Sequence, residues 1–163
     1  MPWPPSPAPS STAVTDLTVQ RTQHAQDHNA LAAFVNGMVA GPWQYVNPSG
    51  GAAPAFNSPW ANYNAAGAGW QVLRFRKELG DICRIEGMVA GGATGNAVFT
   101  LPMGFRPPQI VRFINEMTGG VTGPGRIDIS NTGTVTPGYM GSQTGTCTAL
   151  AINCSFVIDP ASL

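Results

Sequence analysis

The sequence predicts a mainly β protein, in which a β-sandwich or jelly-roll head follows an extended arm and one short helix. Its 20 glycines and 15 prolines interrupt the chain too often for a fold built on long helices. From Trp70 onward apolar and polar residues alternate, as they do around Leu73 and Phe75, and turn-forming residues separate the runs. About six to eight short strands over residues 70–163 suit a sandwich or jelly roll.

The composition favours a protein that functions inside an assembly. The chain has 8 basic and 8 acidic residues, so it lacks the basic excess that nucleic acid or an anionic membrane would attract. A chain with zero net charge and 43% hydrophobic residues would also be poorly soluble as a monomer. No run reaches the roughly 20 apolar residues that a membrane-spanning helix needs, and the amino terminus lacks signal-peptide features, so synthesis in the cytoplasm is expected.

Residues 1–18 are predicted to form an extended anchoring arm. Five prolines in the first nine positions favour a polyproline conformation, which has no internal hydrogen bonds and builds no core. Such a segment becomes ordered by lying on a partner. Trp3 is expected to insert into a pocket of the partner, with Pro4 and Pro5 beside it, because tryptophan often contributes most of the binding energy at an interface.

Residues 19–40 are predicted to form a helix that packs in a bundle. One apolar stripe follows the i, i+3, i+4, i+7 spacing and continues backwards through two histidines. Its residues are His24, His28, Leu31, Phe34, Val35 and Met38. Because a short helix is marginal alone in water, it is expected to pack against copies of itself or against the β domain.

The two histidines are four residues apart on one helix face, a spacing that also occurs in metal sites. A zinc protease signature would need Glu immediately after the first histidine, and Ala25 stands there. We therefore predict a structural polar layer in the bundle, with an axial metal or anion as the alternative. No cofactor or metal is predicted.

Residues 41–69 are predicted to be a connector to the head domain at residues 70–163. Asn, Pro, Ser, Gly and Ala dominate this segment, yet five aromatic residues are spaced through it, which is unusual for a flexible linker. We expect these rings to fix the connector on a surface. The alternative is that they stack against sugar rings.

The three cysteines, Cys83, Cys147 and Cys154, are predicted to be free thiols in the core, because their number is odd and no Cys-x-x-Cys pair occurs. A bridge between Cys147 and Cys154 is the alternative.

A rigid corner is predicted between two strands, at Val98–Leu101 and Gln109–Ile114, since prolines stop the first strand and glycine allows the reversal. The corner comprises Leu101, Pro102, Gly104, Phe105, Arg106 and Pro107.

Two stretches resemble bacteriophage proteins. Leu101-Pro-Met-Gly-Phe-Arg-Pro107 resembles a motif in the carboxyl-terminal domains of phage tail fibres and minor tail proteins. Asp27-His-Asn-Ala-Leu-Ala-Ala-Phe-Val-Asn36 is similar to a stretch of minor tail proteins from phages of actinobacteria, with Phe34 where that family usually has Ala. The resemblance implies a homotrimeric minor tail or fibre-tip protein of the virion that contacts other phage structural proteins and a host surface glycan or protein. A capsid decoration or head-fibre protein is the alternative.

No motif in the sequence predicts catalysis. The chain has no Gly-x-Ser-x-Gly elbow and no phosphate-binding loop. Its carboxylates Asp81, Glu86, Glu116 and Asp128 are isolated in sequence, and both histidines lie in the predicted helix. A non-enzymatic protein is predicted. The alternative is a polysaccharide depolymerase, in which two of these carboxylates would converge in space. Binding residues are expected in the turns at 91–96, 118–125 and 138–146.

Overall fold

The structure is a computed structural model that describes residues 11–37, 39–47, 54–63, 69–119, 123–139 and 145–162. The chain forms two units, residues 1–39 and 40–163. A helix accounts for the described part of the first unit, and a β domain is the second. No helix among the described residues is both long enough and apolar enough to cross a membrane.

Helix α1 extends over Ser11–Gly37 and contains 27 residues, which makes it about 40 Å long. The helix therefore begins earlier than predicted, since residues 11–18 were expected to belong to the extended arm. Its start follows from the prolines: the last of the early prolines is Pro9, and after it nothing removes a backbone donor. An extended arm can occupy only residues 1–10, which contain Trp3, Pro4 and Pro5 and lie outside the described residues.

The described part of the β domain contains nine strands in one antiparallel sheet. They are β1 (Gln44–Tyr45), β2 (Ala61–Asn62), β3 (Arg74–Glu78), β4 (Ile82–Ala90), β5 (Phe99–Thr100), β6 (Val111–Gly119), β7 (Gly123–Ile129), β8 (Thr134–Tyr139) and β9 (Cys147–Val157). The strand order is β1-β3-β4-β9-β6-β7-β8-β5, and β2 pairs with β4. A short 3-10 helix follows at Pro160–Ser162.

The strands form where the sequence alternates. Along β4 every second residue is buried, so Cys83, Ile85 and Val89 face the core while Arg84 and Glu86 face outward. The turn from β3 to β4 needs positive φ angles, which Gly80 and Asp81 adopt at 75° and 55°. This period of two explains why the head could be predicted as β from residue 70 onward.

The sheet curls around one hydrophobic core. Phe75 on β3 and Phe99 on β5 come from nearly opposite ends of the strand order, yet their ring centroids lie 6.1 Å apart. Phe105 meets Phe75 edge-on at 5.0 Å. The mainly β fold is thus confirmed. Strand pairing joins the described strands in one continuous sheet rather than in two separate sheets.

The predicted connector is part of the β domain in its described portions. Strand β1 pairs with β3, and β2 pairs with β4, so Gln44–Tyr45 and Ala61–Asn62 extend the sheet. Val46 and Trp60 are 1% and 4% exposed in the core, and Phe56 packs against it. The compact β unit therefore begins at residue 40, whereas the sequence predicted a head domain from residue 70. The Pro- and Asn-rich composition predicted a loop, whereas the apolar rings determine where this segment lies.

The cysteines are free and buried, as predicted. Burial raises the pKa of the Cys147 thiol to about 11 and that of Cys154 to about 12, because a thiolate would lose its hydration inside the core. Burial likewise raises the pKa of Cys83. These thiols therefore behave as small apolar core groups and not as nucleophiles.

Candidate functional site

The first candidate site is the stripe along α1. Leu31, Phe34 and Val35 are 58%, 66% and 49% exposed, and His24 and His28 are exposed as well. The two imidazole centroids lie 4.6 Å apart. Met38, also predicted for this stripe, lies outside the described residues. An apolar stripe with this much exposure lacks a covering surface within the described part of its own unit.

The spacing of the stripe fits a coiled coil better than a general amphipathic helix. Arg21, His24, His28, Leu31 and Val35 follow one another at intervals of three, four, three and four residues. These are the a and d positions of a heptad, with Arg21, His28 and Val35 at a. We call these five residues the helix seam. Sequence reasoning missed the heptad because three of its five positions are polar or basic.

The second set of predicted site residues, the corner, is structural. Gly104 adopts a φ of 85°, and the Phe105 backbone N–H donates to the carbonyl of Pro102 at 3.3 Å, which closes the turn. Arg106 Nε donates to the Leu101 carbonyl oxygen at 3.0 Å. Leu101 and Pro107 are buried. The corner thus links β5 to β6 and packs on the core.

A charged cluster covers the outer face of β3 and β4. Glu86 accepts from Arg74 Nη2 at 2.6 Å and from Arg84 Nε at 3.1 Å. Partial burial disfavours the charged carboxylate, but the two arginines outweigh burial and lower the pKa of Glu86. The Trp43 ring stacks on the guanidinium groups of Arg74 and Arg76, at 4.1 and 4.4 Å. This cluster fixes β1 and the segment before it on the sheet.

The four carboxylates considered for catalysis differ in their surroundings. Glu86 is paired as described, and Asp128 accepts from Arg112 Nε at 2.6 Å and Nη2 at 3.0 Å. Asp81 lies 3.8 Å from Lys77 Nζ. Glu116 is exposed and has no ion pair or hydrogen bond among the described residues. Within the described ranges, no group of three or more His, Cys, Asp and Glu could hold a metal.

A groove lies along β9 on the outer face of the sheet. It has a volume of 220 Å³ and continues into a shallower depression of 330 Å³. We call the two together the β9 groove. Its deeper part is lined by Trp70, Met88, Glu116, Thr118, Ala149 and Ala151. Trp70 is 51% exposed. Sequence reasoning missed this groove, because its lining comes from four segments that only strand pairing brings together.

The predicted binding turns are only partly described. In the turn at 91–96, Ala93 forms a bridge with Thr146, and the Gly145 N–H donates to Thr94 Oγ1 at 3.2 Å. The first turn is therefore tied to the start of β9. The turns at 118–125 and 138–146 include residues 120–122 and 140–144, which lie outside the described residues.

Comparison with known proteins adds no family. No protein-family model matches this sequence, and no curated protein matches it.

Proposed function

We propose that this protein is a non-enzymatic structural protein of a bacteriophage virion. In this proposal a homotrimeric minor tail or fibre-tip protein is anchored to other phage structural proteins by its amino-terminal arm and displays its β domain to the host surface. The observation that carries the proposal is the exposed helix seam on a 27-residue helix that forms a unit apart from the β domain.

The seam supports self-association. Isolated helices gain little stability in water, and most of the stability of a helix comes from burial of its apolar face. Leu31 and Val35 are about half exposed in a single chain, and a heptad seam matches a second copy of itself. A homo-oligomer would bury both residues in every chain.

The number of chains rests on the resemblance to phage minor tail proteins, which implies three. The seam itself is less specific, because a β-branched residue at a with leucine at d, as at Val35 and Leu31, is more typical of two strands. Native mass spectrometry of the purified protein measures the number. Three chains are expected, and a monomer at micromolar concentration would contradict the proposal.

The polar residues of the seam suit an assembly in which the chains must align in one register. Arg21, His24 and His28 occupy the first three consecutive a and d positions of the seam. Polar residues at such positions lower stability but fix the alignment of the chains. A correct alignment matters when identical heads must be held side by side.

The decisive experiment is incorporation into particles. Deletion of residues 1–39 removes the first unit and leaves residues 40–163, which form the second. We expect the truncated protein to fold, to be monomeric and to be absent from purified particles, whereas the whole chain is incorporated. Normal incorporation of the truncated protein would overturn the anchoring role. Immunogold labelling of particles made with the whole chain should place it on the tail; labelling over the shell would show a capsid decoration protein instead.

A further inference from the structure

The shape of the β9 groove is set by small side chains. Strands β4 and β6 both pair with β9, so they flank it at about 5 Å on each side. Ala149 and Ala151 on β9 form the floor between the larger side chains of its neighbours. From Ala149 to Asn153 the floor is about 13 Å long. These dimensions suit an extended chain of two or three ring-sized units.

One wall of the groove is a tryptophan that the backbone holds in place. The Met88 N–H donates to the Gln71 carbonyl at 2.9 Å, next to Trp70 in the chain. The Leu73 N–H donates to Asn62 Oδ1 at 2.8 Å. Gly87 allows this close approach, because a Cβ there would lie 2.5 Å from the Leu73 Cα. The wall is thus largely preformed, which reduces the ordering cost of binding.

The polar groups of the groove are hydrogen-bonding groups without positive charge. No lysine or arginine lines either depression. Two carboxylates line the groove: Glu86, in the shallower part, is neutralised by Arg74 and Arg84, and Glu116, in the deeper part, has no ion pair within the described part of the chain. The amide side chains of Gln71 and Asn153 are exposed. A carboxylate accepts hydrogen bonds, and an amide both donates and accepts. This set suits hydroxyl groups and disfavours an anionic ligand.

We propose that the β9 groove binds a neutral oligosaccharide. The apolar C–H face of a pyranose ring stacks on Trp70, because an exposed aromatic ring offers a large rigid surface at low entropic cost. Sugar hydroxyls donate to Glu116 and exchange hydrogen bonds with Asn153. This inference deepens the proposed host-surface role and rests on it for the biological source of the sugar, while binding itself is a property of the purified protein.

The test is binding of the purified whole chain to an array of neutral and acidic oligosaccharides, followed by calorimetry with the neutral oligosaccharide that gives the strongest signal. Trp70→Ala should weaken binding by about tenfold or more, because an aromatic stacking contact is lost. Ala151→Leu should abolish measurable binding by filling the floor. The control Leu79→Ala truncates a side chain that is 52% exposed in the turn after β3 and outside the groove, and it should bind like the wild type.

Each outcome decides the inference. Absence of binding to every neutral oligosaccharide, a preference for acidic ones, or equal affinity of the Trp70→Ala variant would overturn it. Melting temperatures within about 2 °C of the wild type show that the variants are folded. If Ala151→Leu changes the native mass, this face is a subunit interface and the sugar site is wrong. Because incorporation into particles is measured separately, the sugar site and the virion role fail independently.

Discussion

The helix seam gives the sharpest prediction: the double substitution Leu31→Asp/Val35→Asp should dissociate the oligomer and leave the β domain folded. Both side chains are about half exposed in one chain, so burying each in the oligomer contributes about 1 kcal/mol to the free energy of association. In three chains the two positions together contribute about 6 kcal/mol to that free energy. Burying a carboxylate in their place would weaken association further. We therefore expect the association constant to fall by at least about 10⁴-fold.

Native mass spectrometry and sedimentation at micromolar concentration measure the change. Helical circular dichroism should fall as well, because the separated helix is marginal in water. The matched control is Gln26→Asp/Asn29→Asp, which adds the same charge at exposed positions outside the seam and should retain the oligomer. A Leu31→Asp/Val35→Asp protein with the copy number of the wild type would refute the seam.

Three further predictions concern the β domain. Trp60→Ala should lower the free energy of unfolding by about 3–5 kcal/mol. Trp60→Phe should lower it by less than about 1.5 kcal/mol, because it also removes a buried indole N–H that has no hydrogen-bond partner among the described residues; urea titration measures both. Folding lowers the pKa of Glu86, so its carboxylate stabilises the folded protein at pH values above its ordinary pKa of 4.5. This stabilisation is lost as the pH falls through the lowered pKa of the folded protein. Glu86→Gln should flatten the loss of stability between about pH 5 and pH 3, and an unchanged acid limb would contradict this assignment. In the native protein, Cys83, Cys147 and Cys154 should resist Ellman's reagent, because they are buried. They should react once about 8 M urea has unfolded the domain. Rapid labelling of the native protein would contradict their burial.

Some features of the fold could be predicted because they depend on neighbours in the sequence. The alternation along β4 and β9 places every second side chain on the buried face whatever the strands pair with. The corner at residues 101–107 could be predicted for a similar reason, since proline and glycine restrict or free the backbone locally. The helix was predicted from its apolar spacing, but its start was placed too late because the early prolines suggested a longer arm.

Other features depend on contacts between distant residues. The composition around Trp60 and Val46 predicts a connector, and only the folded structure shows that both residues are buried in the core. Glu86 and Glu116 look equivalent in the sequence. Both border the β9 groove in the structure, but two arginines hold the first, while the second has no partner among the described residues.

The sequence by itself therefore determined the strand character of the chain from residue 70 onward, the turn chemistry of the corner and the presence of the helix, because each depends on residues a few positions apart. Only the tertiary structure decided the strand order, the packing of residues 41–47 and 54–63 in the β domain and the position of the β9 groove. These features depend on which strands pair across long stretches of chain. Strands with the same alternation of apolar and polar residues could pair in several orders, so the alternation alone does not select one order.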